Sequence, residues 1–226
     1  MHLAVIPARA GSKGLKDKNI TPICGKPLYM HTLQAAIWSC IFDKIVVTTD
    51  SDAIIHELNS IETHKSVSVL RRPDELATDE VTIAPVIIHA LEYYEGREWK
   101  HYSTVTTLQP TSPFRTSQHI IEAHKRFEDT KADSLISVCE ELHSIWSINK
   151  GSVVPIKNPA FNRQWETPFY VGNGAIAITK REILLEYRNR VGGHLQLYPM
   201  NSYDALDIHT KQDIELAEFY KKQGWV

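Results

Sequence analysis

Cysteine is scarce in this chain of 226 residues: three, Cys24, Cys40 and Cys139, odd in number and far apart. They suggest neither a disulfide framework nor a thiolate metal site, and read as reduced thiols. Net charge is also nearly absent, at −2, which argues against a nucleic-acid surface. No stretch approaches the ~18 consecutive apolar residues of a membrane span, and no charged-then-apolar leader precedes the first strand-like run. A soluble, cytoplasmic protein with no membrane partner is therefore expected. The eleven histidines show no H-E-x-x-H spacing, so most belong to surface or core. Nor do the glycines match G-x-x-x-x-G-K-[ST] or G-x-G-x-x-G, the loops of P-loop ATPases and dinucleotide folds.

What is present is a local concentration of positive charge. The run IPARAGSKGLKDKNI, Ile6 to Ile20, joins an apolar strand (Leu3, Val5, Ile6, Ala8) to a loop carrying Arg9, Lys13, Lys16 and Lys18 against Asp17 alone. Gly11 and Gly14 allow the backbone to bend so that amide hydrogens converge on one anion. A loop of this kind suits a polyphosphate; a solvated basic turn is the competing reading.

Hydrophobic content of 42% over this length suits one core and one domain, 1–226. Short β-branched runs at Lys44–Thr49, Val67–Leu70, Tyr102–Leu108 and Ser134–Val138 alternate with helical patterns at Leu28–Cys40, Asp52–Ser60, Thr82–Tyr94 and Ser117–Asp129. That alternation predicts an α/β fold, a mostly parallel central sheet flanked by helices, with chemistry in the loops after strand carboxyl ends. From about 140 to 172 it breaks into short extended pieces with Trp146, Phe161, Trp165, Phe169 and Tyr170, which read as an arm whose aromatics serve an interface or cover the sheet edge. A strand (NGAIAIT), a helix near Lys180–Asn189, a strand near Gln196–Met200 and a helix Thr210–Lys222 close the chain.

The basic loop, Arg72, Gln109 and Asp207 together make a plausible nucleotide site: cations for phosphates, hydrogen-bonding groups for a base, an acid for a metal. Five ordered blocks, IPARAGSKGLKDKNI, LRRPDELATD, LQPTSPFR, RQ followed by NGAIAI, and ALDIHTKQDIELAE, resemble the acylneuraminate cytidylyltransferases from end to end. The resemblance implies a Rossmann-like, glycosyltransferase-A-like fold and a homodimer joined through the arm. It implies transfer of CMP from CTP to the anomeric hydroxyl of a nine-carbon 2-keto sugar acid, with Mg2+ as cofactor and Mn2+ as a possible substitute. By position, Ala8, Arg9, Ser12, Lys13, Lys18 and Asn19 fall in the triphosphate loop, Arg72 in the cytosine block followed by Thr82, and Gln109 where nucleotide and sugar meet. Arg9, Lys13, Lys18 and Gln109 are the implied catalytic residues. Gln109, Thr111, Ser112, Arg163, Gln164 and Asn173 are the implied sugar contacts, and Asp207 the metal aspartate.

Two departures stand out. Many relatives carry D-x-D where this chain has Asp207-Ile208-His209, and imidazole matches Mg2+ poorly, so His209 is expected to act through water or to leave the metal's ligand set. Val171 stands where relatives often place an arginine, so one sugar contact is expected to be missing. For Asp207 the plain alternative is a carboxylate before the helix opened by Thr210; for Thr111 and Ser112 it is a proline-bounded turn. An eight-carbon 2-keto sugar acid, another sugar nucleotidyl transfer, or a catalytically idle nucleotide-binding protein remain as alternatives. Nothing in the sequence separates N-acetylneuraminate, legionaminate and pseudaminate as acceptor.

Overall fold

The computed structural model describes residues 1–11, 14–60, 66–157 and 168–226. Of the expected site residues, Ser12, Lys13, Arg163 and Gln164 lie outside these, as do the arm aromatics Phe161 and Trp165.

The elements run β1 (His2–Pro7), a 3₁₀ turn (Lys18–Ile20), β2 (Pro22–Ile23), β3 (Lys26–Pro27), α1 (Leu28–Ser39), β4 (Lys44–Thr49), α2 (Asp52–Ser60) and β5 (Val67–Arg71). A second 3₁₀ turn (Asp74–Leu76), α3 (Ile83–Glu98), β6 (Thr104–Thr107), α4 (Ser117–Asp129), β7 (Ser134–Glu141), β8 (Ile145–Asn149) and β9 (Ser152–Lys157) follow. The chain ends with β10 (Phe169–Lys180), α5 (Arg181–Tyr187), β11 (Leu195–Met200) and α6 (Lys211–Gln223).

Seven strands form one sheet in the order β11-β7-β10-β6-β1-β4-β5. Strand β1 pairs in parallel with β4 and β6, β4 with β5, and β11 with β7, while β10 runs against both β6 and β7. The expected mostly parallel sheet is thus observed, with β10 the exception. Strand β1 is apolar on both sides because both faces are covered. Ala4 and Ile6 enter the core beneath α1, α2 and α4, with Leu33, Ile54 and Phe127. Leu3 and Val5 enter the core under α3 and α5, with Ile87, Leu91 and Leu184.

Helix α3 outruns the expected Thr82–Tyr94 by a turn. Its polar end is held from outside: Glu95 takes a forked ion pair from Arg181, and Glu98 pairs with Lys44 at 2.8 Å. Strand β7 likewise extends past Val138 to Glu141, paired with the start of β10. Helix α6 begins in a capping box: Thr210 Oγ1 accepts from the Asp213 amide, and the Asp213 carboxylate accepts from the Thr210 amide at 2.7 Å.

Within the stretch expected as an arm, β8 and β9 form a two-stranded hairpin separate from the main sheet, while its ends belong to β7 and β10. Trp146, Ile148, Val153, Val154 and Ile156 are all exposed on the hairpin. Ile148 sits opposite Val153, and Trp146 opposite Pro155.

One core histidine gives the fold an acid-sensitive point. His124 of α4 is 4% exposed, packs edge-on against His2 and Phe42, and shares a 3.0 Å hydrogen bond with Thr106 Oγ1. Burial, reinforced by His2, pushes its pKa down to about 3 from 6.5. Below 6.5 the unfolded ring binds a proton that the folded ring refuses until about 3. Its stabilising contribution is therefore complete above that window and lost as pH falls through it, to a total of a few kcal/mol. His124→Gln, which keeps a partner for Thr106, is expected to flatten the fall of Tm between about pH 6 and pH 4. An unchanged slope would remove His124 as the cause.

Candidate active site

A cavity of about 300 Å³ opens at the carboxyl edge of the sheet, walled by the loops after β1, β5 and β6. This is where a twisted parallel sheet leaves room for a ligand. Arg9, Lys18, Asn19, Arg72, Gln109 and Thr111 all line it. The first loop leaves β1 through Ala8, fully buried, whose amide donates to Thr48 at 3.0 Å. Asn19 is 6% exposed and donates its side-chain amide to the Arg9 carbonyl at 2.8 Å. Its observed work is to hold the loop's shape. The Ala10 amide donates to Asp50 at 2.7 Å.

Among the described residues, the cations Arg9, Arg72 and Lys18 of the cavity are each opposed by an acid from another loop. The Arg9 guanidinium pairs with Asp79 and donates to the Ala77 carbonyl at 3.2 Å. Arg72 is 4% exposed and donates to the Thr48 carbonyl at 3.0 Å, while its Nε has no protein partner. Burial pulls its pKa down to about 10, against Asp50, which raises it, and with Arg9, which lowers it further. Lys18 Nζ donates to the Ile208 carbonyl at 3.1 Å. Burial pulls its pKa below the usual lysine value, with Asp207 opposing and Arg9 assisting.

The segment Asp207–His209 packs against two of these loops. Its Ile208 amide donates to Thr111 at 2.8 Å. On the other side, Gly14 is so close that a Cβ there would stand 2.8 Å from the His209 carbonyl oxygen. Asp207 Oδ2 shares a 2.8 Å hydrogen bond with His209 Nε2, whereas Asp207 Oδ1 is buried with no partner among the described residues. Buried carboxylate oxygens are normally satisfied, so this one is open for a donor or a cation. Among the described residues no three His, Cys, Asp or Glu side chains gather as a metal cage. One carboxylate with an unused oxygen fits Mg2+, which takes one or two carboxylates and completes its shell with substrate phosphates and water.

The remaining expected residues divide. Gln109 meets the turn in β10: a Cβ on Gly174, at φ +73, would lie 3.0 Å from Gln109 Oε1. Thr111 lines the cavity, and its Oγ1 is buried without a partner. Ser112 is fully buried, its Oγ also unpartnered, and does not line the cavity. Asn173 spends its Oδ1 on Ser137 Oγ at 2.5 Å and the Ala175 amide at 3.1 Å, which fixes the bulge in β10 beside Gln109. Thr82 is exposed at the start of α3 and is not part of the cavity wall. Val171 is exposed and pairs with Cys139.

Sequence reasoning pointed to the Thr49-Asp50 loop but missed Asp79 and Leu76. Asp79 closes the block LRRPDELATD, so its position was visible. Its pairing with Arg9, 70 residues away, was not.

The cytidylyltransferase family model matches residues 3–223. The N-acylneuraminate cytidylyltransferase of Escherichia coli O18:K1:H7 is 35% identical over 95% of this chain and 51% of its own length. That of Streptococcus agalactiae serotype III is 35% identical over 93% and 51%. The chain thus spans about half the length of these curated relatives. The CMP-N,N'-diacetyllegionaminic acid synthase of Legionella pneumophila is 34% identical over 96% of the chain and 94% of its own length. Among solved structures, a CMP:2-keto-3-deoxy-manno-octonic acid synthetase complexed with CTP superposes with TM-score 0.70 at 16% identity, covering 99% of both chains. The 2-C-methyl-D-erythritol 4-phosphate cytidylyltransferase of Francisella tularensis gives 0.67 at 18% identity, covering 96% and 98%. At these identities the structures speak for the fold alone. The family model, running nearly from end to end over the very loops that wall the cavity, establishes that this chain belongs to the cytidylyltransferase family.

Proposed function

We propose that the chain transfers CMP from CTP to the anomeric hydroxyl of a nine-carbon 2-keto sugar acid, releasing pyrophosphate. The observation that carries this reading is the convergence of Arg9, Lys18 and Arg72 on one cavity beside the unsatisfied Asp207 carboxylate. The relatives named for N-acylneuraminate and diacetyllegionaminic acid support the nine-carbon acceptor.

In this mechanism Arg72, rigid and held to the Thr48 carbonyl, reads the pyrimidine edge. Arg9 exchanges Asp79 for phosphate oxygens, and Lys18, with Lys13 from the same loop, steadies the departing pyrophosphate. Attack by the sugar hydroxyl builds charge on the α-phosphoryl oxygens and on the leaving group, where fixed donors stabilise the transition state most. Gln109, backed by the bulge at Asn173, orients the sugar side of the cavity. The sugar carboxylate is assigned to Arg163 and Gln164. Asp207 would hold Mg2+, which when bound supplies charge neutralisation to the phosphates. His209 stays bonded to the Asp207 carboxylate and assists from outside the metal's ligand set.

The exposed apolar face of the β8–β9 hairpin, with Trp146, Ile148 and Val153, supports a homodimer through this arm. Among the described residues no helix is long and apolar enough to cross a membrane.

Three outcomes test these proposals. With CTP and Mg2+, a panel of N-acetylneuraminate, legionaminate and pseudaminate should yield pyrophosphate for at least one acid, and UTP should not replace CTP. Turnover only with an eight-carbon acid would move the acceptor class, and CTP binding without release from any acceptor would leave an idle nucleotide binder. Lys18→Ala should lower kcat by about 10²- to 10³-fold; wild-type turnover would remove Lys18 from the chemistry. Ile148→Lys, placing a charge in the middle of the hairpin face, should convert a dimer to a monomer in analytical ultracentrifugation, and an unchanged sedimentation coefficient would locate the interface elsewhere.

A further inference from the structure

Arg115 is one of the largest fully buried side chains among the described residues, 2% exposed, one residue before the cap of α4. Among the described residues no carboxylate pairs with it, and burial alone pulls its pKa down to about 9. Buried charges are normally paired, because removal from water is otherwise uncompensated. An unpaired guanidinium in a packed core therefore asks what it holds in return.

It holds two carbonyls. Nη1 donates to Gln109 at 3.1 Å and to Ala175 at 2.8 Å, while Nε and Nη2 have no protein partner. Gln109 stands two residues past β6, on the cavity wall. Ala175 follows the Asn173-Gly174 bulge of β10, so one nitrogen bridges a residue of the cavity wall and the turn of the strand beside it. The two segments also touch directly where Gly174 faces the Gln109 side-chain amide. From the opposite side, Ser137 Oγ accepts from the Ile176 amide at 2.8 Å, and its one proton faces both Asn173 Oδ1 at 2.5 Å and the Ile176 carbonyl at 3.1 Å. The bulge is thus gripped at Ala175 by Arg115 and at Asn173 and Ile176 by Ser137. Arg115 acts on Gln109 through its backbone and leaves the Gln109 side chain free to meet ligand.

We infer that Arg115 is a positioning residue: it fixes the distance between Gln109 and the Asn173-Gly174 turn, and with it the placement of the acceptor against bound CTP. This rests on the proposed CMP transfer. The carbonyls that accept from it belong to Gln109 and β10, the side assigned to the acceptor, whereas Arg9, Lys18 and Arg72 stand on other loops of the cavity, so its removal should disturb the acceptor more than the nucleotide. Lysine cannot substitute fully, since an ammonium on a flexible stem lacks the fixed plane in which the two N–H bonds of Nη1 are aimed at the two carbonyls.

The experiment compares wild type, Arg115→Met and Arg115→Lys, with folded fraction and Tm measured first, CTP affinity by calorimetry, and steady-state kinetics per folded molecule. Arg115→Met should keep CTP affinity close to wild type while kcat/KM for the acceptor falls about 10²-fold, as for a misplacement of about 1 Å. Arg115→Lys should fall between the two. An acceptor kcat/KM equal to wild type would overturn the inference. So would a loss explained by folded fraction, an equal loss of CTP affinity, or failure of both variants to fold, which would assign Arg115 to the core alone. Wild-type turnover in the same assay separates these results from failure of the CMP-transfer reading, in which no acceptor would release pyrophosphate from the wild-type protein.

Discussion

The site depends on one long-range contact: the first loop docks on the segment Asp207–His209. Lys18 Nζ donates to the Ile208 carbonyl across 190 residues of sequence, and Gly14 packs so near the His209 carbonyl that no side chain fits between. Without this closure, the loop after β1 would be the solvated basic turn that its composition equally suits. With it, Lys18 is half-buried, its protonated form made costlier by burial and recovered in part by Asp207. The same segment donates to Thr111 at 2.8 Å, so it also ties the loop after β6 to the loop after β1. Three elements distant in sequence thus share one backbone anchor.

Charge follows the same arrangement. Arg9 faces Asp79, Arg72 faces Asp50, and Lys18 faces Asp207, which is how a strongly cationic cavity coexists with a net charge of −2. A polyphosphate entering such a site replaces acids that already occupy the cations. Preorganised donors of this kind need little rearrangement when charge develops on the ligand. The buried Arg115 is the exception, a cation with carbonyls but, among the described residues, no acid, and it ties the backbone of Gln109 on the cavity wall to that of Ala175 in β10.

The parallel core was legible because β4 and β6 are short β-branched runs, of valine, isoleucine and threonine, bounded by polar turns, and because Leu3 to Ile6 are apolar at every position, as burial on two faces requires. The reversed direction of β10 was not: NGAIAIT alternates identically read either way, and only its pairing with β6 and β7 decides it. The last turn of α3 was hidden because Glu95-Gly96-Arg97-Glu98 reads as a polar stop, whereas Arg181 and Lys44 hold its two glutamates in place. That Arg9, Lys18, Arg72 and Gln109 would gather at one cavity was legible because all four stand in loops that follow strands. Ser112 and Asn173 read as contacts from their blocks, yet Ser112 is buried behind the wall and Asn173 spends its oxygen on the bulge. Asp79 and Arg115 escaped notice because their roles lie in partners far along the chain.

The central claim is that docking of the first loop on Asp207–His209 assembles the nucleotide site. Gly14→Ala probes it directly, since the added methyl would meet backbone and not a movable side chain. Calorimetric titration of CTP with Mg2+, on a variant shown to keep its Tm within a few degrees, should give an affinity weakened by about tenfold or more. Retention of wild-type CTP affinity would contradict the account.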